Sequence, residues 1–128
     1  MLIGKTFYLV VFFTVIGSLT IPNAMAERTT NVLISDGSSL GQLCVAARNC
    51  FAPSVLHIGV GTTVLWKNVD KYSHTVTSGS PFDNHAGKVF DSGLILPGKE
   101  FEYAFNSAGT YHYFCEIHPW MKGEIIVA

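Results

Sequence analysis

Three side chains with soft donor atoms stand at equal spacing within residues 109–123. Cys115, His118 and Met121 are each three residues apart. In a short loop, this spacing lets a thiolate, an imidazole and a thioether turn toward one point. Soft donors of this kind suit copper. The pattern therefore predicts a metal-binding loop between the strand-like residues 109–114 and 124–127.

A fourth donor is expected at His74, which comes just before a run of Thr and Val residues. Two imidazoles and a thiolate in a plane, with a weak axial thioether, make up a blue-copper ligand set. We expect His74, Cys115 and His118 in the plane and Met121 on the axis. Two alternatives stay open. Zinc also binds His and Cys, although not typically a thioether, and Met121 could simply fill the core.

The N-terminal residues predict export. Lys5 precedes the apolar residues 7–16, and the Ala-Met-Ala sequence at residues 24–26 fits the small-x-small rule of a secretory cleavage site. We expect residues 1–26 to be a signal peptide that is cleaved before Glu27, which implies a periplasmic or extracellular location. The uncharged part is nearly as long as the roughly 20 residues of a membrane span, so a retained anchor stays open.

The remaining residues 27–128 are expected to form one domain. Without Lys5, the chain has seven basic and nine acidic residues. No basic patch or run is present in the sequence, which argues against nucleic acid as a partner. We find no internal repeat and no low-complexity tract.

Cys44 and Cys50 are two further cysteines, separated by five residues. In an exported chain, such a pair favours a disulfide bond. Closing so small a loop is worth only about 2 kcal/mol in the chain-entropy estimate, so the bond would secure a local loop. A second metal site is the alternative, but no histidine lies close by in the sequence to complete it.

Several short segments alternate between apolar and polar residues, which is typical of half-buried strands. Leu56, Ile58 and Val60 form one such set, and Trp66 is expected to point inward from another. Residues 40–51 have an irregular pattern, and no convincing amphipathic helix is found. The spacing predicts an all-β fold, a Greek-key antiparallel β-sandwich of seven or eight strands.

From Phe51 to Ala128, the chain resembles the cupredoxins, which are small type 1 copper proteins, and in particular the amicyanin, plastocyanin and pseudoazurin group. The shared elements are Gly61-Thr62-Thr63-Val64-x-Trp66-x-Asn68, His74, Gly109-Thr110-Tyr111 and the loop with Cys115, His118 and Met121. The resemblance implies a sandwich with one copper ion near one end. It also implies His74, Cys115 and His118 as equatorial ligands, Met121 as the axial ligand, and transfer of single electrons between larger redox proteins.

Two positions refine what the resemblance implies. Thr75 stands where many members have Asn, so its backbone N–H is expected to reach the sulfur of Cys115 while the side-chain amide is lost. Pro119 and Trp120 are expected to form an apolar rim around the edge of His118, where partner proteins would dock. Simple packing is the alternative role for Trp120.

The leading functional hypothesis is an exported electron carrier, not an enzyme, with redox proteins as transient partners. One alternative is small-molecule chemistry, for example on a nitrogen oxide, which needs an open position at the copper. Another is copper storage or delivery, although one well-formed ligand set argues against it. His57 and His112 are expected to face solvent. His85 is expected in a solvated loop, with a supplementary ligand role as the alternative.

Overall fold

A computed structural model of the protein describes residues 14–18 and 27–128. Most of the predicted signal peptide, including its expected cleavage site, lies outside the described residues, so its cleavage stays a prediction. Within the described ranges, no helix is both long and apolar enough to cross a membrane.

Strands dominate the described structure, and two very short helices lie between the first two of them. The helices are a 3-10 turn at Ser38–Leu40 and α1 at Gln42–Ala47. The strands are β1 (Thr29–Ile34), β2 (Phe51–Ala52), β3 (Val55–Ile58), β4 (Thr62–Asn68), β5 (Thr77–Ser78), β6 (Glu100–Phe105), β7 (Gly109–Phe114) and β8 (Lys122–Val127).

The strands form two four-stranded sheets with the orders β2-β1-β4-β6 and β3-β8-β7-β5. The predicted β-sandwich of seven or eight strands is confirmed. One detail differs from the expected antiparallel pairing, because β1 pairs with β4 and β3 pairs with β8 in parallel. Alternation of apolar and polar residues has the same period in either direction along a strand. It therefore predicts which face is buried but not how neighbouring strands are oriented.

A cluster of aromatic rings fills the space between the sheets. Trp66 points inward from β4, as predicted, and is fully buried. Its ring centroid lies between 5.5 and 6.3 Å from those of Phe90, Phe101, Phe105 and Tyr113. Aromatic pairs at such separations contribute stability beyond the area that they bury. This core gives the loops at the end of the sandwich a rigid support.

The segment at residues 35–50 is more ordered than the sequence indicated. Cys44 and Cys50 form the predicted disulfide bond, which excludes the second metal site considered for this pair. Cys44 lies within α1, which begins after Gly41 and is followed by Arg48 in a left-handed conformation. Six helical residues cover fewer than two turns, so no helical periodicity was visible in the sequence.

The loop at residues 115–121 connects two neighbouring strands. β7 ends at Phe114 and β8 begins at Lys122, and these two residues are paired across the sheet. Inside the loop, the N–H of Cys115 donates to the carbonyl oxygen of Met121 at 3.2 Å, and the N–H of Met121 donates to that of His118 at 2.9 Å. These bonds close the loop on itself, so its side chains are held by a short and well-supported turn.

A second loop leaves β4 at Asn68 and is anchored by that residue's side chain. The fully buried amide of Asn68 donates to the carbonyl oxygens of Tyr72 and Ile95, at 2.8 and 2.9 Å. Farther along, His74 and Ile95 exchange two backbone hydrogen bonds, at 3.2 and 2.8 Å. His74 is thereby fixed to a neighbouring segment on the same side of the molecule as the first loop.

Gly123→Ala is expected to lower the free energy of unfolding by about 1–3 kcal/mol, the usual cost of overpacking. Gly123 on β8 pairs with Tyr113 on β7, and the phenol ring of Tyr113 lies directly over it. A methyl group at Gly123 would overlap this ring, which packs edge-on against Phe51 with its centroid 4.8 Å away. Urea denaturation of the metal-free protein measures the change.

Gly59→Ala is the matched control for this substitution. A methyl group at Gly59 would meet nothing closer than a guanidinium nitrogen of Arg28, at 3.8 Å. Its effect on the unfolding free energy should stay within about 0.5 kcal/mol, as for most surface changes. Equal losses in the two variants would contradict the packing that we describe between Gly123 and Tyr113.

Candidate metal centre

Three of the four predicted ligands meet between the two loops. The Sγ atom of Cys115 lies 3.8 Å from the Nδ1 atom of His74 and 3.8 Å from that of His118. The two Nδ1 atoms are 3.0 Å apart. Among the described residues, this is the group of His, Cys and acidic side chains whose donor atoms are close enough to hold one metal ion.

The spacing of these three atoms fits a transition-metal ion. Atoms separated by 3.8, 3.8 and 3.0 Å lie on a circle with a radius of about 2.1 Å. Bonds from a first-row metal to His nitrogen and Cys sulfur are about 2.0–2.3 Å long. One such ion would therefore be within bonding distance of all three atoms. Trigonal nitrogen and sulfur donors are what copper takes in blue-copper sites.

Met121, the predicted axial residue, lies at the inner side of the same loop. Its side chain is fully buried, and it belongs to the hydrophobic core together with Cys115. His74 and Cys115 are also fully buried, whereas His118 is partly exposed. Three of the four predicted ligands are therefore shielded from solvent, and the imidazole of His118 is the predicted ligand that reaches the surface.

A carboxylate holds the outward nitrogen of His74. The Nε2 atom of His74 lies 2.7 Å from Oδ2 of Asp70, and both side chains are buried. Because the carboxylate accepts the proton on Nε2, the Nδ1 atom keeps a free electron pair facing Cys115 and His118. Carboxylate–histidine pairs of this kind fix the tautomer and the orientation of metal-binding histidines.

Asp70 is a functional residue of this site that the sequence did not predict. Four backbone or side-chain groups point at its carboxylate: the N–H groups of Gly37, Ser39 and Lys71, and the ring of His74. The signal in the sequence was an acidic residue four positions before a predicted ligand. That signal is weak, because residues 69–73 lie in a loop, where sequence spacing does not determine which side chains meet.

Thr75 connects the two loops in two ways. Its backbone N–H donates to Sγ of Cys115 at 3.3 Å, as expected from the resemblance. Its Oγ1 atom accepts the N–H of Glu116 at 2.8 Å and lies 3.0 Å from Oγ1 of Thr77. The hydroxyl group thus keeps a bond between the loops although the amide of Asn is missing here.

The protonation of the cluster favours metal binding at Cys115 and His118. Burial raises the pKa of the Cys115 thiol, but the contact with His74 and the hydrogen bond from the N–H of Thr75 lower it more, so the pKa lies below its usual value. Burial lowers the pKa of His118, and the neighbouring charge of His74 lowers it further. Burial also opposes the charged form of His74, yet Cys115 and Asp70 leave its pKa above the usual value. A thiolate and a neutral imidazole are the forms that metals bind.

Thr75→Val is expected to destabilise the metal-free protein by about 1–3 kcal/mol, because it leaves the N–H of Glu116 without its acceptor. The backbone N–H that Thr75 gives to Cys115 is kept, so the test isolates the hydroxyl group. Chemical denaturation measures the loss. Thr110→Val, on the exposed face of β7, makes the same chemical change and should alter stability by less than about 0.5 kcal/mol. Similar values for both variants would argue against the bond between the loops.

The side chain of Trp120 contacts neighbouring residues and also remains partly exposed to solvent. Its side chain is 40% accessible, its Nε1–H donates to the carbonyl oxygen of Ser38 at 3.0 Å, and its ring centroid is 5.2 Å from that of His118.

His57 and His112 are exposed, as expected. The side chain of His85 is 79% exposed and lies outside the metal-binding group.

The chain is similar in sequence to two amicyanins. Amicyanin-alpha of Methylorubrum extorquens is 30% identical over 83 residues, which cover 63% of this chain and 66% of that protein. Amicyanin of Paracoccus denitrificans is 37% identical over 78 residues, covering 56% of this chain and 53% of that protein. The chain thus spans between half and two thirds of the length of these two relatives.

The fold has a similar counterpart among solved structures. A purple cupredoxin from Nitrosopumilus maritimus superimposes with a TM-score of 0.68 and 30% sequence identity, covering 77% of this chain and 99% of that one. Residues 45–128 match the family of copper binding proteins described as the plastocyanin/azurin family. This match covers well over half of the chain and includes the whole group of His74, Cys115 and His118. The chain therefore belongs to the plastocyanin/azurin family of copper-binding proteins, the cupredoxins.

Proposed function

We propose that His74, Cys115, His118 and Met121 bind one copper ion as a type 1 site, and that the protein carries single electrons between redox proteins. The observation that carries this proposal is the combination of a trigonal donor set with a closed pocket. Three of the four side chains are fully buried, and His118 is partly exposed. Such a site lets electrons pass through an imidazole edge while it keeps other reactants away from the metal.

The protein's own contribution is a fixed arrangement of donors. Asp70 holds His74 in one tautomer, and the N–H of Thr75 directs a hydrogen bond to the sulfur of Cys115. The loop at residues 115–121 is closed by backbone hydrogen bonds, and the loop after Asn68 is held by the side-chain amide of that residue and by the backbone of Ile95. Copper bound here would supply the one-electron couple. Donors that do not move between its two oxidation states keep the reorganisation on electron transfer small.

Chemistry on small molecules such as nitrogen oxides is not favoured by this geometry. It requires an open coordination position, and the predicted axial side chain, Met121, is fully buried in the core. The sulfur of Cys115 is equally inaccessible. A visible spectrum distinguishes zinc from copper at this site, because a zinc thiolate site has no visible colour whereas a blue-copper site absorbs strongly.

Docking of a redox partner is proposed at the surface around His118. Pro119 and Trp120 are exposed next to it, and Leu40 and Leu43 expose apolar side chains on the adjoining segment. Weak redox encounters use small interfaces of this type. Replacing Leu43 by Glu should slow electron exchange with the partner without changing the visible spectrum.

Export is proposed from the predicted signal peptide at residues 1–26, with a periplasmic or extracellular destination. The disulfide bond between Cys44 and Cys50 supports this location, because such bonds persist in oxidising compartments. A retained, membrane-anchoring N-terminal segment is the other outcome. The mass of the protein recovered from its host distinguishes the two, since cleavage before Glu27 removes 26 residues.

Visible and EPR spectra of the chain loaded with Cu(II), recorded with and without azide, test the proposed function. We expect an intense thiolate charge-transfer band with narrow copper hyperfine splitting, and neither should move when azide is added. A band that shifts with azide would indicate an accessible copper and small-molecule chemistry. The absence of an intense band would refute the type 1 site.

Met121→Leu is expected to leave copper bound while it shifts the reduction potential. Leucine has nearly the same volume as methionine, so the unfolding free energy should fall by less than about 1.5 kcal/mol. It lacks a donor atom, and the axial ligand tunes the potential of blue-copper sites. Cyclic voltammetry measures the shift. An unchanged potential and spectrum would show that Met121 does not coordinate the metal.

A further inference from the structure

The segment at residues 35–50 supplies Leu40 and Leu43 to the proposed docking surface, but it supplies no ligand to the proposed copper site. Its two ends are joined, because the N–H of Ser35 donates to the carbonyl oxygen of Cys50 at 3.0 Å. The hydroxyl of the fully buried Ser38 lies within reach of the carbonyl oxygens of both Ser35 and Cys50, at 2.6 and 2.9 Å. The disulfide bond from Cys44 to Cys50 closes the same segment a second time. The segment is thus a small closed unit, centred on Ser38.

On one side, this unit contacts the carboxylate that holds His74. The N–H of Gly37 donates to Oδ1 of Asp70 at 3.1 Å, and that of Ser39 reaches Oδ2 at 3.4 Å. The same Oδ2 atom accepts from His74 at 2.7 Å. Hydrogen bonds to the charged form keep the pKa of Asp70 below its usual value despite burial. The unit therefore determines where the carboxylate lies and how it faces His74.

On the other side, the unit contacts the residue beside His118. The Nε1–H of Trp120 donates to the carbonyl oxygen of Ser38 at 3.0 Å, across 82 positions of sequence. The indole also lies against Gly41, where an added Cβ atom would come within 3.4 Å of the ring. Gly41 has a φ of +82°, which favours glycine. The indole is held at both its nitrogen and its face, with its ring 5.2 Å from that of His118.

We propose that the disulfide-closed segment at residues 35–50 positions both histidine ligands from outside the copper site, through Asp70 for His74 and through Trp120 for His118. The two contacts come from consecutive residues of one turn, so they cannot shift independently. The disulfide bond acts on the metal centre because it keeps this turn closed. This inference rests on the proposed copper function, and its residues are positioning residues that do not touch the metal.

A Cys44→Ser, Cys50→Ser double variant tests the proposal. Serine is close in size to cysteine, and at position 44 its hydroxyl could donate to the carbonyl oxygens of Ser38 and Gly41, which lie 3.6 and 3.4 Å from the native Sγ atom. No free thiol is created there to compete for copper. We expect copper affinity to fall about 10–100-fold, the usual effect of losing support for a metal ligand, with altered copper hyperfine splitting and a shifted reduction potential.

A second variant keeps the disulfide bond and the fold. Trp120→Phe retains an aromatic ring beside His118 but removes the N–H that binds Ser38. It should shift the EPR parameters in the same direction as the double variant, by a smaller amount. Gln42→Ala, at an exposed position of the same segment, is the control and should leave the EPR parameters, the reduction potential and the copper affinity unchanged.

Hydrogen exchange in the metal-free protein gives a readout that does not involve copper. The N–H groups of Gly37 and Ser39 and the indole N–H of Trp120 should exchange slowly in the parent chain and rapidly in the double variant. Fast exchange in the parent would overturn the proposal. Unchanged spectra, potential and affinity in the double variant and in Trp120→Phe would overturn it as well. A parent chain without a blue band would instead refute the proposed function, and with it this inference.

Discussion

Cys115→Ser is expected to abolish the intense visible band of the copper-loaded protein and its reversible redox activity. Cys115 is fully buried, and its sulfur lies 3.8 Å from the Nδ1 atoms of both His74 and His118. The pKa of this thiol lies below its usual value, which favours the thiolate form that metals bind. A serine hydroxyl has no low-energy charge-transfer transition to Cu(II) and stays protonated at neutral pH. The colour should therefore vanish even where some copper remains bound.

Loss of the fold must be separated from loss of the ligand in this experiment. A buried hydroxyl in place of the thiol costs about 1–3 kcal/mol on scales from protein mutations, so the metal-free variant should still unfold cooperatively in urea. Glu116→Gln, at the exposed neighbouring position, should keep the full colour. A Cys115→Ser variant that remains intensely coloured would show that another residue is the thiolate-like ligand.

The candidate ligands could be proposed from the sequence because their chemistry is carried by residue type and local spacing. Cys115, His118 and Met121 lie in one seven-residue loop, so their convergence needs no knowledge of the tertiary structure. His74 was predicted because a blue-copper ligand set needs a second histidine, and the resemblance to cupredoxins implied the same residue. The strands could also be predicted from the sequence, because period-two alternation indicates which face of a strand is buried. Trp66 on β4 is an example.

What escaped prediction depends on contacts between distant parts of the chain. Asp70 binds His74 and also accepts N–H groups from Gly37 and Ser39, more than 30 positions earlier. The parallel pairing of β1 with β4 is likewise a matter of tertiary arrangement. Neither leaves a periodic trace in the sequence. The side-chain bond of Thr75 to Glu116 was missed because a hydroxyl reaches less far than the amide that it replaces.

Asp70→Asn is expected to raise the reduction potential and to lower the copper affinity. Asp70 is a buried anion within 2.7 Å of His74, and Cu(II) carries one positive charge more than Cu(I). Removing the anion therefore destabilises the oxidised state more than the reduced state. An energy on the order of 1 kcal/mol for a partly screened charge corresponds to about 40 mV for a one-electron couple.

The lower affinity has a separate cause in hydrogen bonding. Each oxygen of the Asp70 carboxylate accepts two hydrogen bonds. In asparagine, an NH2 group that can only donate hydrogen bonds takes the place of one of these oxygens. If the amide nitrogen faces His74, the Nε2 proton loses its acceptor and the tautomer with a proton on Nδ1 gains population. That proton competes with the metal, so affinity should fall about 10–100-fold.

Asp36→Asn is the matched control for charge, because it makes the same substitution at an exposed position in the segment at residues 35–50. Solvent and salt screen such a charge, so its potential should stay close to that of the parent. Voltammetry and copper titration of both variants measure the two effects separately. A rise in potential with unchanged affinity would mean that Asp70 acts only through its charge. Equal potentials in the two variants would mean that the Asp70 carboxylate does not influence the metal centre, and the link from residues 35–50 to His74 would then have no electronic consequence.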